Sequence, residues 1–343
     1  MPFIKDNYRK HLQLIADILS FDSDLEHLNQ QLQCKETKWE KLVEIASSHL
    51  VLTTLYCRLK QKNLLKALPK ELNNYLFEIT SINKNRNLTI LKEIKIISSA
   101  LDDNNINHVF LKGSALLAGN HLSDLGERMI GDIDILVEFN KLEKAFKILT
   151  DYGYSKYISF NYKNSNYRHL PRQVSDDKLA AVEIHKHILN KKYQHILDSD
   201  VILKNKRKFN GISIPNEEFL LKSIILGSQI NNKGLFHNLL NFKYGYDCLL
   251  LNSMSNNHLM TNLSNNKYYS NFTGIMNIHF PEIRLLNNKI GVKIRRFFYK
   301  LKLNSTLFRT LNYSVKNVIL NVNQRVTLFV SNKSYRENIL RKI

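Results

Sequence analysis

Two aspartates one residue apart, Asp132 and Asp134, stand at the head of a run of branched and apolar residues, DIDILVEF. Side chains alternate along a strand, so both carboxylates project to one face while Ile133 and Ile135 take the other. Neighbouring carboxylates on a half-buried strand repel each other unless a cation sits between them. Mg²⁺ (or Mn²⁺) takes oxygen ligands, commonly one or two carboxylates together with substrate phosphates. Upstream, Gly113 and Ser114 follow the β-like run NHVFL (107–111) and lead into a short helical stretch. A glycine there lets the backbone come close to a phosphate, and free N–H groups at a helix start favour an anion. The serine adds a hydroxyl. Downstream, AVEIH (181–185) reads as a strand with Glu183 and His185 on one face. Glu183 can complete a carboxylate triad, either as a metal ligand or as a base for an incoming hydroxyl. His185 can contact phosphate or orient an acceptor. A metal bridging a triphosphate in this way stabilises both the attacking and the leaving oxygen of an in-line displacement.

The flanking sequence must supply elements that hold these groups. Residues 11–19, 39–48 and 87–101 place apolar side chains three and four apart, which predicts helices. In the last of these, Ile90, Ile94, Ile97 and Leu101 form one stripe, with Lys92, Glu93 and Lys95 as the polar positions between them. Asp22 and Ser23 are candidate caps, and Leu68-Pro69 marks a break because proline disfavours helix in the residue before it. The middle of the chain changes character. Runs at 107–111 and 133–139 read as strands, 141–150 as a helix, and 154–160, 168–174 and 179–185 as further strands. From Asn216 the pattern is helical again: NEEFLLKSIILGSQI opens with a capping residue and two acids in its first turn, and 235–251 predicts one more apolar helix. This order implies an α+β or α/β sheet domain between helical flanks. The divisions expected are an N-terminal helical region over 1–103, a core over 104–212, a C-terminal helical region over 213–303 and a basic tail over 304–343.

The chain is 343 residues long with 43% hydrophobic and 23% charged residues, the balance of a folded protein. Cys34, Cys57 and Cys248 are scattered, without metal-ligand or redox spacing, which predicts a reducing compartment. The opening MPFIKDNYRKHLQLIADILSF has no signal-peptide pattern, and no run approaches the roughly 18 apolar residues of a membrane span. The expectation is a cytoplasmic protein without a transmembrane segment. The net charge of +20 is uneven: from Ile283 to the end, Glu337 is the only acid among many lysines and arginines. Such a tail suits an anionic partner, whether nucleic acid, an anionic membrane surface or a phosphorylated substrate. It also suits a solvated helical face. IGVKIRRFFYKLKL (290–303) has the basic and aromatic make-up of an interfacial helix, and equally that of a helix with a buried aromatic side.

The segment LKGSALLAGNHLSDLGERMIGDIDILV resembles the polymerase-β-like nucleotidyltransferase superfamily, whose core is Gly-Ser, then D-x-D, then a third acid on a later strand. More narrowly, the chain resembles the uncharacterised nucleotidyltransferase family. Leu111-Lys112-Gly113, Arg128, Asp132-Ile133-Asp134 and Glu183-Ile184-His185 match its pattern, with similarity expected from about Trp39 to about Leu251, including Asp247. Two departures stand out: the gap from Ser114 to Asp132 is longer than in the compact motif, and the third acid is Glu. The resemblance implies a core of mixed sheet and helices. It also implies that Lys112, Gly113, Ser114 and Arg128 contact nucleotide phosphates, with His185 beside them, and that Asp132, Asp134 and Glu183 bind Mg²⁺ or Mn²⁺. Arg128 suits phosphate because its planar fork donates two hydrogen bonds.

The activity implied is transfer of a nucleoside monophosphate from a triphosphate such as ATP to an acceptor, with release of pyrophosphate. The acceptor is a small molecule, a protein side chain or an RNA end. A glycosyltransferase can also use D-x-D, but that reading leaves Gly113, Ser114 and Glu183 without a role. A third reading is an inactive module of the same fold that binds nucleic acid or a protein through its basic C-terminal region.

Overall fold

In the computed structural model, which describes residues 8–159, 162, 167–256 and 258–341, the chain begins with four helices, α1 (Tyr8–Leu19), α2 (Leu25–Leu32), α3 (Trp39–Ser48) and α4 (Leu52–Gln61). Phe160, expected to end a strand, lies outside the described residues, as do the first seven residues of the opening segment and the last two of the tail. Pro69 then starts α5 (Lys70–Asp103), a helix of 34 residues. The side chains of Ile90, Ile94, Ile97 and Leu101 are all buried, each worth roughly 1.5–3 kcal/mol relative to exposure. Glu93, expected on the polar side, is buried as well and accepts a hydrogen bond from Tyr154 Oη at 3.0 Å. The tyrosine hydroxyl replaces the water that a buried carboxylate loses.

The sheet follows. Its elements are β1 (His108–Phe110), α6 (Lys112–Ala118), β2 (Asp132–Val137), α7 (Leu142–Asp151), β3 (Lys156–Ile158), β4 (Arg172–Val174) and β5 (Ala181–His185). The five strands lie in the order β1-β2-β5-β4-β3. Only β2 and β5 run parallel; the other pairs are antiparallel, so the sheet is mixed. After α8 (Ser199–Lys204), a separate hairpin forms from β6 (Lys206–Phe209) and β7 (Ile212–Pro215). Asn210 and Gly211 at its tip both have positive φ, 48° and 81°, the backbone that a two-residue hairpin turn needs.

The chain continues through α9 (Glu217–Leu226), a π-helical turn over Gly227–Asn231, α10 (Gly234–His237), α11 (Phe242–Met254), α12 (Lys267–His279), α13 (Ile290–Asn304), α14 (Thr306–Ser331) and α15 (Lys333–Leu340). Asn216 caps α9 by accepting from Phe219 N at 2.9 Å. The single helix expected over 235–251 is two helices. Asn238 takes the left-handed conformation (φ 54°) and ends α10, and Asn241 caps α11 by accepting from Lys243 N at 2.9 Å. The basic tail is helical.

Candidate functional site

β2 and β5 are parallel neighbours, with Asp134 opposite Glu183 and Leu136 opposite His185. Alternation therefore gathers Asp132, Asp134, Glu183 and His185 on one face of the sheet. Ile133, Ile135, Val182 and Ile184 are buried on the other. Asp134, Glu183 and His185 each offer a ligand atom within 4.8 Å of the other two. Asp132 stands outside that trio, more open to solvent and ion-paired with Arg172 of β4.

The other acids also face basic side chains. Lys112 Nζ lies 2.5 Å from Asp134 Oδ1, and His185 Nε2 lies 2.8 Å from the same oxygen. Burial alone would push the Asp134 carboxyl up, but Lys112 and His185 outweigh it and hold the group well below the usual carboxylate range. Glu183 Oε2 sits 3.6 Å from His185 Nε2 and 3.7 Å from His169 Nε2. Burial raises Glu183 and His185 draws it down; with Asp134 and His169 added, its net shift is downward. Both carboxylates are thus ionised at neutral pH. His185 Nδ1 is buried and has no hydrogen-bond partner among the described residues. Two carboxylates and an imidazole are a donor set for a divalent cation, and Asp132 with Asp134 offers an all-oxygen pair.

Lys112 reaches Asp134 from an unusual backbone position. Its φ of 52° is left-handed, which costs a residue with a Cβ about 1 kcal/mol. The next residues brace the strand. Ser114 is fully buried; its hydroxyl donates to Asp132 O at 3.1 Å and accepts from Asp134 N at 3.3 Å. Gly113 packs so closely on Ile130 that a Cβ there would meet its Cδ1 at 2.9 Å.

Beyond the end of α6, the long gap to Asp132 is a pinned loop. From α5, Asn83 donates to Gly126 O at 2.7 Å, and Asn87 donates to Leu125 O at 2.6 Å and Arg128 O at 2.8 Å. From α4, Thr53 and Thr54 donate to Glu127 O at 3.1 and 2.8 Å. Gly126 passes so near α5 that a Cβ would lie 2.7 Å from Thr80 O. These buried hydrogen bonds hold a loop with little regular structure at a fixed distance from the acids.

Over the carboxylates lies a cavity of about 230 Å³ lined by Lys112, Gly113, Arg128, Asp132, Asp134, Arg168, Lys243, Tyr244 and Asp247, among others. Ser228 and Asn231 of the π-helical turn, with Asn232 just after it, complete its wall. Arg128 and Asp247 form a buried pair: Nε to Oδ1 is 2.8 Å and Nη2 to Oδ2 is 2.9 Å. The fork expected to hold phosphate is therefore turned onto a carboxylate of α11. Lys243, by contrast, has no hydrogen bond or ion pair from its ammonium among the described residues, and sits 4.8 Å from the centre of the Tyr244 ring. Burial, then the charge of Arg128, lowers it to about 8.

Of the residues singled out from the sequence, Lys112, Gly113, Arg128, Asp132 and Asp134 line this cavity. Glu183 and His185 sit beside it against Asp134, and Ser114 bonds to the backbone of β2. Sequence reading passed over Lys243, Arg168, Arg172 and His169. Lys243 had a legible signal, since it stands four residues before Asp247 on one helix and so shares its face. The other three lie on and just before a short strand whose pairing no local pattern encodes.

A family model described as an uncharacterised nucleotidyltransferase matches residues 35–228, more than half of the chain. The match spans Lys112 through His185 and stops at Ser228, short of the Leu251 expected, so Lys243 and Asp247 lie beyond it. No curated protein and no solved structure matches.

Proposed function

The chain belongs to the uncharacterised nucleotidyltransferase family, and from that premise we propose that it transfers a nucleoside monophosphate from a triphosphate to an acceptor, in the manner of polymerase-β-type enzymes. The observation that carries this reading is the β2–β5 register, which sets Asp134 opposite Glu183 at the edge of a cavity lined by Lys112, Arg168 and Lys243. Asp132, Asp134 and Glu183 would hold Mg²⁺ or Mn²⁺, with His185 a further donor. A cation bound there neutralises phosphate charge and polarises the phosphoryl group.

The chain's own residues do the rest. Lys243, whose ammonium has no anionic partner at hydrogen-bond distance among the described residues, binds the triphosphate together with Lys112 and Arg168. Arg128 adds positive potential but is held by Asp247, so it positions α11 over the sheet. Glu183, ionised between two imidazoles, accepts the proton of an acceptor hydroxyl, and His169 Nε2 stands 3.7 Å away to receive it in turn. The His169 ring is fixed for this by its Nδ1, 2.7 Å from Leu170 O.

Calorimetric titration of ATP, GTP, CTP and UTP with Mg²⁺ or Mn²⁺ tests the proposal. One triphosphate should bind in a metal-dependent way to the wild-type protein and not to an Asp132→Asn/Asp134→Asn variant. Absence of binding by folded wild-type protein would count against it.

One observation favours a second reading. Two of the acids already face a protein cation, Asp132 with Arg172 and Asp134 with Lys112, so much of the site's charge is offset without a metal. In an inactive module this offset is permanent. Mn²⁺ that fails to bind even with triphosphate present would support the module.

A further inference from the structure

Helix α14 is docked the wrong way round for a globular protein. Its contacts with α10 come from the polar side: Lys316 donates to Phe236 O at 2.7 Å, and the Tyr313 ring lies 5.1 Å from that of His237. The opposite side carries Leu307, Leu311, Val315, Val318, Val322 and Val326, spaced three and four apart so that they share one face. Each is more than half exposed, and among the described residues none in α14 is buried. An ordinary surface helix turns such a stripe inward. A continuous apolar face along 26 residues, about 39 Å, marks a contact surface.

The preceding helix repeats the arrangement on a smaller scale. α13 buries Val292, Tyr299 and Leu303 against the body and leaves Ile290, Ile294 and Phe297 exposed, with Lys293 and Lys300 exposed alongside. Lysines flanking an apolar stripe can keep their ammonium groups in water while their stems lie along an apolar phase.

Charge selects the occupant. From Ile283 onward Glu337 is the only acid. A second copy would bring two such basic regions together, each with Glu337 as its only acid, and the phosphate backbone of a nucleic acid offers nothing to six exposed aliphatic side chains. An anionic bilayer supplies both an apolar layer and negative charge. No helix among the described residues is long and apolar enough to cross a membrane. We propose that α13 and α14 lie on an anionic lipid surface, with the α14 face inserted at the boundary between headgroups and acyl chains. This is independent of the nucleotidyl-transfer reading.

The test is flotation of the full chain with vesicles of phosphatidylcholine alone and of phosphatidylcholine with phosphatidylglycerol. Wild-type protein should float with the anionic vesicles only. Val318→Asp/Val322→Asp should cut recovery by at least about tenfold, and Lys293→Glu/Lys300→Glu should weaken it in a salt-dependent way. A Val318→Ser/Val322→Ser pair serves as well, should aspartates perturb the helix. Flotation that these substitutions leave unchanged would overturn the proposal. So would absence of flotation together with a dimer, seen by sedimentation, that Val318→Asp/Val322→Asp dissociates. RNA binding of steep salt dependence in a chain that does not float would overturn it in favour of nucleic acid.

Discussion

Arg128 and Asp247 meet in a two-fold hydrogen-bonded ion pair although 119 positions separate them in the chain. One precedes β2 and the other lies on α11, so the pair joins the sheet that carries the acids to the helix that carries Lys243. Both side chains are almost fully buried. Removing one partner leaves an uncompensated charge, so Asp247→Ala should destabilise the fold by about 3–5 kcal/mol. The double variant Arg128→Met/Asp247→Leu should recover most of that loss. Urea denaturation of Arg128→Met, Asp247→Leu and the double checks it, and additive losses would show that the two groups do not act as a pair.

Lys243 should give the proposed triphosphate site a pH dependence. Its ammonium is lowered to about 8, first by burial and then by Arg128, so the free protein loses this charge as pH rises through that value. A triphosphate favours the protonated form, and binding near that pH takes up a proton. Affinity should fall roughly tenfold between pH 7 and pH 9. Lys243→Arg should flatten the profile and Lys243→Met should weaken binding throughout. Calorimetry in buffers of different ionisation enthalpy measures the proton uptake directly; none at pH 8 would remove Lys243 from the proposed triphosphate site.

The acids were legible because their signal is local. A strand needs only alternation to put Asp132 and Asp134 on one face, and Glu183 and His185 on another strand's face. What local pattern could not supply was that β2 and β5 are neighbours, or that Asp134 is the one facing Glu183 and His185. That depends on a register fixed by the whole buried sheet. The same limit hid Arg172 and His169, whose side chains matter only through that pairing. The hairpin of β6 and β7 was a different kind of miss, since Asn210-Gly211 is a strong local turn signal. Helix α14 eluded reading because its apolar face is exposed, whereas periodicity is ordinarily read as burial.

Ser114 separates two roles that its sequence context leaves open. Its buried hydroxyl bridges Asp132 O and Asp134 N, so Ser114→Ala should cost about 1–3 kcal/mol of stability. It should also weaken Mn²⁺ binding by loosening the strand that presents both aspartates. A hydroxyl serving phosphate alone would show the opposite: triphosphate affinity lost with the urea midpoint unchanged. Measuring both on one preparation decides between them.

Phe242, at the start of α11, lies between two histidines whose burial makes the fold sensitive to acid. The rings of His49 and His279 are 4.9 and 5.1 Å from the Phe242 ring. His49 Nδ1 accepts from Phe242 N at 3.1 Å, so that nitrogen carries no proton. Burial lowers His49 to about 4; burial, with the charges of His49 and Arg9, lowers His279 to about 3. An unfolded histidine takes up its proton near the ordinary value of about 6.5, so the unfolded chain binds protons first as pH falls. Stability from these groups is complete above that pH, is lost as pH falls toward 4, and levels off below the folded values. For His49 alone the loss is on the order of 3 kcal/mol. The urea midpoint should therefore drop steadily from about pH 7 to about pH 4.5, and His49→Gln, which keeps an acceptor but cannot titrate, should drop less steeply. Equal slopes in the two proteins would place the acid sensitivity elsewhere, with the carboxylates around Asp134 the next groups to examine.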